Sequence, residues 1–380
     1  QQVYYRLFLT GSASTEGKDF VLADNFIIKD FADYKLFLPL PRAVDDPESV
    51  ARRVARDCAN QDFIDSHPGL QPQKRVTGSF IYAHPPNYRG AEAFRYTEQD
   101  WLRELGRLKG FGINLIIFQA ALWNELKECY YPSKTFAEYK FFPVIEPMLS
   151  AAGKLGLEVF LGGYGSVTCW REKLDAGIVS SEVARQLACF RELLQYRKYF
   201  KGFYFAPESA FNGQRNPALE KFLSELYGGL FSEIRSADSA LQIMMSPATF
   251  YYPGERMSMM ADAWQAMFAK AHPDILAPQD SIGCGCITLD HQQEAFIQWK
   301  RVADACNLEL WSNVECFECC APWLDETARR SADPARVACQ MANAEPWVDK
   351  LISWEILYYL SPELHPRGQN LKNVLFGDTP

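Results

Sequence analysis

From residue 75 to the end of the chain, short apolar runs alternate with longer segments in which apolar residues recur every three or four positions. Short apolar runs are typical of strands buried on both faces of a parallel sheet, and the longer periodicity is typical of amphipathic helices. The pattern therefore predicts eight strands, at residues 76–82, 114–119, 157–162, 202–208, 241–246, 274–279, 308–315 and 351–355.

Helical periodicity fills the stretches between these strands. Eight strands with intervening helices predict a (β/α)8 TIM barrel, an α/β fold that takes about 250 residues. An open doubly wound sheet is the alternative, but it favours a glycine-rich phosphate-binding loop after an early strand, and Gly78 followed by Pro85 and Pro86 is not such a loop. The predicted helices are residues 97–108, 134–154 with an interruption at Pro143, 181–199, 216–236, 258–270, 290–305 and 333–349, with a weak one within 361–380.

Residues 1–74 do not follow this alternation. Residues 4–9, 20–31 and 35–40 are rich in aromatic and branched side chains and are typical of strands. A helix is predicted to begin near Pro47, and the polar stretch 67–74 is typical of a linker. We therefore expect two units: an N-terminal β-rich extension, residues 1–74, packed on the barrel outside its mouth, and a catalytic (β/α)8 domain, residues 75–380.

Composition narrows the class of protein. A hydrophobic content of 48% indicates a globular chain with a large core, and a net charge of −8 argues against a nucleic-acid partner, which favours a basic surface. No apolar run approaches the roughly 20 residues that span a bilayer. Eleven cysteines slightly favour a reducing cytoplasm, whereas a start at Gln1 without Met slightly favours export, so the compartment and the oligomeric state stay open.

Polar and aromatic side chains concentrate where the predicted strands end. In a (β/α)8 barrel the carboxyl ends of the strands form the active-site face, so we expect these residues to line one substrate-binding mouth. Trp and Tyr rings there are typical of sugar-stacking clefts, and equally of a large core. The candidates are Tyr82, His84, Gln119, Trp123, Tyr164, Glu208, Tyr251, Gln279, Asp280, Asn313, Glu315, Trp354 and Glu355.

Two of these candidates are glutamates that close the fourth and seventh strands. Side chains alternate along a strand, so Glu208 shares a face with Tyr204 and Glu315 shares a face with Asn313. Hydrolysis of a glycosidic bond needs two carboxyl groups on opposite sides of that bond. The pair therefore predicts a glycoside hydrolase that acts on an oligo- or polysaccharide, although either glutamate alone is also typical of a capping or salt-bridging residue.

The chain resembles the glycosidase superfamily whose barrels carry catalytic glutamates after strands four and seven and a tryptophan at the end of strand eight. The resemblance covers residues 76–362 and is closest to a poorly characterised family of glycosidase-like barrels. One position departs from the superfamily pattern, because Pro207 stands where an asparagine usually precedes the strand-four glutamate. The motifs that carry the resemblance are Phe-Ala-Pro-Glu at 205–208, Ala-Pro-Gln-Asp-Ser-Ile-Gly at 277–283, Asn-Val-Glu at 313–315 and Ser-Trp-Glu at 353–355.

The resemblance implies a role for each carboxylate: Glu208 as general acid/base, protonated because its strand is apolar, and Glu315 as nucleophile of a retaining enzyme. Retention implies a separation of about 5–5.5 Å between the two carboxyl groups. Asp280 is the rival partner for Glu208, and a wider separation of about 6.5–9.5 Å would then permit inversion. Glu355 is expected to be a structural or sugar-binding carboxylate. Sugar rings are expected to stack on Trp123, Tyr164, Tyr251 and Trp354.

Two other functions stay open. A barrel that binds carbohydrate without turnover would serve polysaccharide assembly or transport. Another barrel enzyme, assisted by a metal, would use cysteines that follow strands six and seven, although these are also compatible with a disulfide or with plain thiols. We expect no cofactor. The cysteines concerned are Cys284, Cys286, Cys316, Cys319 and Cys320.

Overall fold

The computed structural model describes residues 47–83, 93–171, 173–319, 329–360 and 368–377. The strands expected within residues 1–46, the candidate His84 and Cys320 lie outside the described residues. None of the helices in these ranges combines the length and apolar composition that a bilayer span requires.

Eight parallel strands close into a barrel in the order β1-β14-β11-β10-β9-β8-β6-β2, which confirms the predicted (β/α)8 fold. Each strand begins within two residues of its predicted start, because continuous apolar runs of this length are a reliable signal of buried parallel strands. The strands in chain order are β1 (Val76–Ile81), β2 (Leu115–Phe118), β3 (Leu122–Trp123), β4 (Glu128–Cys129), β5 (Lys140–Phe141), β6 (Glu158–Gly162), β7 (Tyr164–Gly165), β8 (Gly202–Phe205), β9 (Gln242–Met245), β10 (Ile275–Leu276), β11 (Glu309–Val314), β12 (Phe317–Cys319), β13 (Arg329–Ser331) and β14 (Lys350–Ser353).

Helices surround the barrel, and two of them begin with residues that favour the start of a helix. Thr97 and Asp100 form a reciprocal capping box at the start of α2, and Asn216 caps α5, whose first residue is Pro217. The helices are α1 (Pro47–Ser66), α2 (Glu98–Gly110), α3 (Ile145–Leu155), α4 (Ala176–Leu193), α5 (Pro217–Ala237), α6 (Glu255–Met267), α7 (Leu289–Cys306), α8 (Pro334–Ala344), α9 (Ile356–Tyr359) and α10 (Gly368–Phe376), with short 3-10 turns at Ala93–Arg95, Thr168–Trp170 and Leu194–Tyr199.

The prediction of one interrupted helix over residues 134–154 is wrong in its first half. Only α3 forms, because the backbone N–H groups of Lys134 and Thr135 donate to the Glu192 carboxylate, each at 2.9 Å, and β5 pairs with β4. These tertiary contacts satisfy the backbone groups that a helix would otherwise bond internally.

Small accessory sheets extend the carboxyl-terminal face of the barrel. The strands β5, β4, β3 and β7 form a four-stranded sheet from the segments that follow β2 and β6, and β12 pairs antiparallel with β13 after β11. Both accessory sheets follow barrel strands, so they shape the rim of the mouth.

The barrel interior is a packed apolar layer and not a pore. At Gly202 a Cβ atom would collide with the Phe160 ring, so only glycine lets this ring fill the barrel between β6 and β8. The inward-facing cluster comprises Phe80, Leu115, Ile117, Ala120, Phe160, Tyr204, Ala206, Met244, Ile275, Ala277, Trp311 and Ile352, with Trp123 and Trp354 packed against it.

The helix α1 packs on α7 and α8 outside the barrel. Asn60 accepts a hydrogen bond from the Leu289 N–H at 2.9 Å, and a Cβ atom at Gly285 would collide with the Arg56 guanidinium. The linker also contacts the barrel, since the Gln73 and Lys74 N–H groups donate to Glu345 at 2.7 and 2.9 Å. The proposed division of the chain at residue 74 stays a prediction.

Candidate active site

Glu208 follows β8 on the face that points into the barrel mouth. Tyr204 and Ala206, which precede it at alternate positions, belong to the interior cluster. Gln279 Nε2 donates to Glu208 Oε1 at 3.0 Å, and the Glu208 side chain is partly exposed. Burial raises the pKa of Tyr204 well above its usual range, and the Glu208 charge raises it further. Glu208 is therefore a solvent-accessible carboxylate directly above the core.

A polar network joins the ends of the strands around Glu208. Gln279 Nε2 also donates to the Ser246 carbonyl at 3.3 Å, and Asn313 Nδ2 donates to Ser246 Oγ at 3.1 Å. Gln279 and Asn313 pair through an isolated parallel bridge beyond β10. The network therefore connects the ends of the fourth, fifth, sixth and seventh barrel strands. Gln279 and Asn313, two of the residues expected to bind substrate, are connected to Glu208 by this network.

Glu315 follows β11 and is only 3% exposed. The Cys284 N–H donates to Glu315 Oε2 at 2.7 Å, and the Gly283 Cα lies so close that a Cβ there would stand 2.9 Å from the Glu315 carboxylate. Burial raises the Glu315 pKa to about 7, the Asp280 charge acts in the same direction, and the Cys284 N–H and Arg329 oppose the rise. The loop after β10 thus encloses the second candidate carboxylate.

Asp280 faces the helix α8 on the outside of the barrel and is 0% exposed. Its Oδ2 accepts from Gln340 Nε2 at 2.7 Å, and its Oδ1 accepts from the Glu315 N–H at 3.2 Å. Burial raises its pKa to about 6, while Gln340 and Arg336 oppose the rise. In this position Asp280 holds the Glu315 backbone, and its carboxylate is engaged away from Glu208.

Three of the expected aromatic residues lie at the mouth. Trp123 and Trp354 are partly exposed, and both pack on the interior cluster of the barrel. Tyr82 is also partly exposed, and its ring centroid lies 5.7 Å from that of Trp123. These rings form the upper wall of the candidate cleft.

Two other aromatic residues are placed differently from the expectation. Tyr164 is 1% exposed, packs 5.6 Å from the Phe136 ring and accepts from Arg185 Nη1 at 2.9 Å, so it offers no ring face to a sugar. Tyr251 is partly exposed, but one face of its ring is covered by His291, with the centroids 3.8 Å apart. The face of the Tyr251 ring that His291 covers is therefore not available for stacking.

Unpartnered oxygens mark other positions near the strand ends. Within the described ranges, Gln119 Oε1, Asn313 Oδ1 and Glu355 Oε1 are buried and accept no hydrogen bond. Glu355 also has a left-handed backbone, with φ 52° and ψ 44°, which is unfavourable for a residue with a Cβ atom. Burial raises the Glu355 pKa to about 8, so its neutral acid is the favoured form at pH 7.

The cysteines after strands six and seven do meet in space. Cys284 and Cys286 have their sulfur atoms 3.5 Å apart, and the Cys319 N–H donates to the Gly283 carbonyl at 2.9 Å. All described cysteines of this region are free thiols, and no group of three or more metal-binding side chains forms among the residues that the structure describes.

Several residues of the region were not singled out from the sequence. Ser246, Gln340 and the Cys284 N–H organise the carboxylates, and Trp170 and Phe250 expose aromatic rings close by. The run Phe-Tyr-Tyr at 250–252 after the fifth strand was a usable signal for the aromatic residues. A backbone donor such as Cys284 N–H has no side-chain signature, so sequence reasoning could not identify it.

The closed barrel of eight parallel strands defines a (β/α)8 TIM-barrel protein. Over residues 76–366 the chain matches the family described as "Domain of unknown function (DUF4434)", and it belongs to that family. No curated protein sequence matches the chain.

Two solved structures are similar to this chain to different degrees. The crystal structure of a "putative alpha-L-fucosidase" from Bacteroides thetaiotaomicron VPI-5482 is 18% identical, with a TM-score of 0.64 over 81% of this chain and 94% of that one. A GH113 beta-1,4-mannanase is 10% identical, with a TM-score of 0.48 over 81% of this chain and 99% of that one. The first of these confirms the predicted fold, and at this identity it shows nothing more.

Proposed function

We propose that the protein is an O-glycoside hydrolase that acts on an oligo- or polysaccharide, with Glu208 as general acid/base and Glu315 as nucleophile. The observation that carries the proposal is the position of Glu208: a partly exposed carboxylate at the carboxyl end of the fourth strand, hydrogen-bonded by Gln279. Active sites of TIM-barrel enzymes lie on this face.

The two carboxyl groups lie in different environments. Burial raises the Glu315 pKa to about 7 and by itself favours Glu315 as the acid, so the assignment of Glu208 as acid rests on its access to the leaving group. Pairs of titratable groups in different environments are typical of acid and base assignments in glycosidases. Glu208 is accessible to a leaving-group oxygen, whereas Glu315 accepts a backbone N–H and lies in a dry enclosure. Trp123, Trp354 and Tyr82 supply ring surfaces at the same mouth.

The proposed reaction has two steps. Glu208 donates its proton to the glycosidic oxygen while Glu315 attacks the anomeric carbon, which breaks the glycosidic bond and forms a glycosyl ester on Glu315. Glu208, now ionised, removes a proton from water, and the water oxygen replaces the ester to release a sugar of retained configuration. A wider separation of the carboxyl groups would instead admit water directly and invert the configuration.

The enclosure of Glu315 favours a second candidate function. A nucleophile must be ionised, and a carboxylate that is 3% exposed with a pKa near 7 is poorly prepared for attack in the ligand-free protein. A carbohydrate-binding barrel without turnover would use Glu208, Gln279 and the rim aromatics to hold a sugar, and Glu315 to hold the loop after β10.

A substrate screen separates the two functions. The purified protein is tested on aryl glycosides, including an aryl α-L-fucoside, and on a panel of soluble polysaccharides, beside its Glu208→Gln and Glu315→Gln variants. Hydrolysis of the polysaccharides, whose leaving groups need a proton, should fall about 10²–10⁴-fold in Glu208→Gln with the unfolding temperature unchanged, and this result supports the enzyme. The matched control is Glu309→Gln, which changes a glutamate at the opposite end of β11.

Sugar binding by the parent protein and by Glu208→Gln, with no hydrolysis of any substrate, would support the binding protein instead. The anomeric configuration of the first-formed product, measured by NMR, tests retention separately from activity.

A further inference from the structure

Aromatic rings lie exposed beside the candidate site, outside the set expected to stack on substrate. Trp170 is 43% exposed, and Phe250 and Tyr252 are partly exposed; we call these three residues the aromatic shelf. The ring centroids of Trp170 and Phe250 are 6.4 Å apart, and those of Phe250 and Tyr252 are also 6.4 Å apart, with an interplanar angle of 26°. The three rings are therefore contiguous.

The loop that carries Trp170 is held by a buried carboxylate. Glu182 of α4 is 4% exposed and accepts from Ser166 Oγ at 2.7 Å and from Thr168 Oγ1 at 2.9 Å. Gln186 Nε2 completes this arrangement, donating to Glu182 at 2.9 Å and to the Tyr164 carbonyl at 2.7 Å. An exposed tryptophan is thus displayed on a loop whose geometry is fixed in advance, which lowers the entropy lost when a ligand binds.

The other end of the shelf is equally well supported. Tyr252 rests edge-on against the buried Phe211 ring, with centroids 5.8 Å apart. Its ring lies on Gly213, whose φ is +86° and where a Cβ atom would stand 2.6 Å from Tyr252 Cδ1. Glycine is therefore required there for two reasons, the positive φ and the close approach of the ring.

The shelf continues directly from the Glu208 region. The segment that leads to Phe250 donates from the Ala248 N–H to the Ser209 carbonyl at 3.0 Å, one residue beyond Glu208. Ser246, at the start of the same segment, contacts Gln279, which in turn binds Glu208. Rings on the loops after the third and fifth barrel strands thus flank the carboxylate on the fourth.

We propose that the aromatic shelf binds pyranose units of a sugar chain beyond the unit held at Glu208. This rests on the proposed function and deepens it: the substrate is an oligo- or polysaccharide chain that occupies several subsites. Flat rings at fixed positions match the C–H faces of pyranoses, which can stack on them. A folded protein partner is a poorer match, because three part-buried rings fall far short of the roughly 800 Å² per partner in a stable interface.

The test measures how affinity depends on chain length in the Glu208→Gln protein. Calorimetry uses gluco-, manno-, xylo- and fuco-oligosaccharides of one to six units. We expect affinity to rise about tenfold or more from two to five units for the recognised series, and Trp170→Ala and Phe250→Ala to remove that rise while leaving monosaccharide binding unchanged. Tyr199→Ala is the matched control: an aromatic residue that is 40% exposed, placed before β8 on the opposite face of the barrel.

The outcomes separate this proposal from the proposed hydrolase. Affinity that does not depend on chain length, or Trp170→Ala affinity equal to that of Tyr199→Ala, overturns the shelf even if hydrolysis is observed. Chain-length-dependent binding by Glu208→Gln, with no hydrolysis of any substrate by the parent protein, overturns the hydrolase and leaves the shelf. Binding of no member of the panel overturns the shelf, whereas the hydrolase is decided by the substrate screen.

Glu182→Gln probes the support of the shelf. Glu182 is a positioning residue that touches no substrate, so its loss should reduce the gain with chain length and spare monosaccharide affinity. Equal weakening for every chain length would indicate general destabilisation and contradict the positioning role.

Discussion

A glutamate follows each of the strands β8 and β11 at the rim of the barrel, but the two carboxyl groups lie in opposite environments. Glu208 is partly exposed and accepts a hydrogen bond from a side chain, that of Gln279. Glu315 is 3% exposed and receives its hydrogen bond from a backbone N–H in the loop after β10. We call these the open end and the enclosed end.

The difference lies in the loops rather than in the strands. At the open end, Ser209 accepts a hydrogen bond from Ala248, which joins the chain after β8 to that after β9. At the enclosed end, Gly283 lets the loop after β10 lie directly on Glu315, and Asp280 fixes the Glu315 backbone. A barrel strand therefore supplies the carboxylate and its direction, and the neighbouring loop decides its exposure and its pKa.

Removing each carboxylate in turn gives the largest expected effect. Glu315→Ala should lower hydrolysis of activated aryl glycosides by about 10³-fold or more, because no group remains to attack the anomeric carbon. Glu208→Ala should retain much of kcat/KM on the same substrates, because a good leaving group needs no proton, but its kcat should fall because no base remains to activate water in the second step. Steady-state rates for both variants, measured on good and poor leaving groups, give the comparison.

Added azide sharpens the same experiment. In Glu315→Ala azide can attack in place of the carboxylate and should give a glycosyl azide of inverted configuration. In Glu208→Ala it should intercept the glycosyl ester and give a retained product. A Glu315→Ala protein with full activity would mean that the enclosed end takes no part in the chemistry.

Gly283→Ala should have the next largest effect, because it disturbs the enclosed end without removing its carboxylate. The added methyl group would meet the Phe317 carbonyl and the Glu315 side chain, so the loop must move. We expect a rate loss of about 10²-fold from the displaced carboxylate and a free energy of unfolding lower by about 1–3 kcal/mol.

The matched control is Gly153→Ala in α3, where the nearest atom to a new Cβ is 4.0 Å away. That variant should retain full rate and the parent stability or better, since alanine favours a helix. Equal rates for the two variants would show that Gly283 does not support the site. Activity is measured with thermal or urea unfolding on the same preparations.

The open end was largely predictable from the sequence, and the enclosed end was not. Alternation of apolar residues predicted that Glu208 and Glu315 end strands and share faces with Tyr204 and Asn313, because the period of a strand is a local property. The burial of Glu315 depends on a loop more than thirty residues earlier, and Tyr164 is buried by Phe136 and Arg185 from other segments. Contacts between distant segments of the chain produce no periodic pattern in the sequence. For the same reason, residues 134–144 were assigned to a helix that Glu192 and β4 prevent.

The rate of hydrolysis should change about tenfold with pH, and the direction of this change tests which glutamate is the nucleophile and which is the acid. Glu315 must be ionised to attack, and its pKa is about 7. On an activated aryl glycoside, which needs no proton from Glu208, we therefore expect kcat/KM to rise about tenfold per pH unit below 7 and to level off above it. If Glu315 is instead the general acid, the rate on substrates with poor leaving groups should fall above pH 7. Asp280→Asn removes a negative charge beside Glu315 and should move the rising limb to lower pH.

Glu355 lies at the end of a third barrel strand, and its substitution should have the smallest effect of the proposed changes. Its Oε1 is buried without a partner among the described residues, and burial raises its pKa to about 8. An unfolded glutamate has a pKa of about 4.3, so the folded state favours the neutral acid. The stability that the folded protein gains from keeping Glu355 protonated is fully present below about pH 4.3 and is lost as the pH rises to 8. Glu355 therefore belongs with the enclosed end.

Glu355→Gln keeps the shape of the side chain and removes the charge. The variant should match the parent protein near pH 4.5 and unfold about 2 °C higher or more at pH 8.5, because only the parent must then bury an ionised carboxylate. Thermal unfolding of both proteins across this range, with Glu309→Gln as the exposed control, gives the measurement. A difference that does not change with pH would mean that the Glu355 carboxyl is as open as that of Glu208, and the enclosed environment would then be confined to the end of β11.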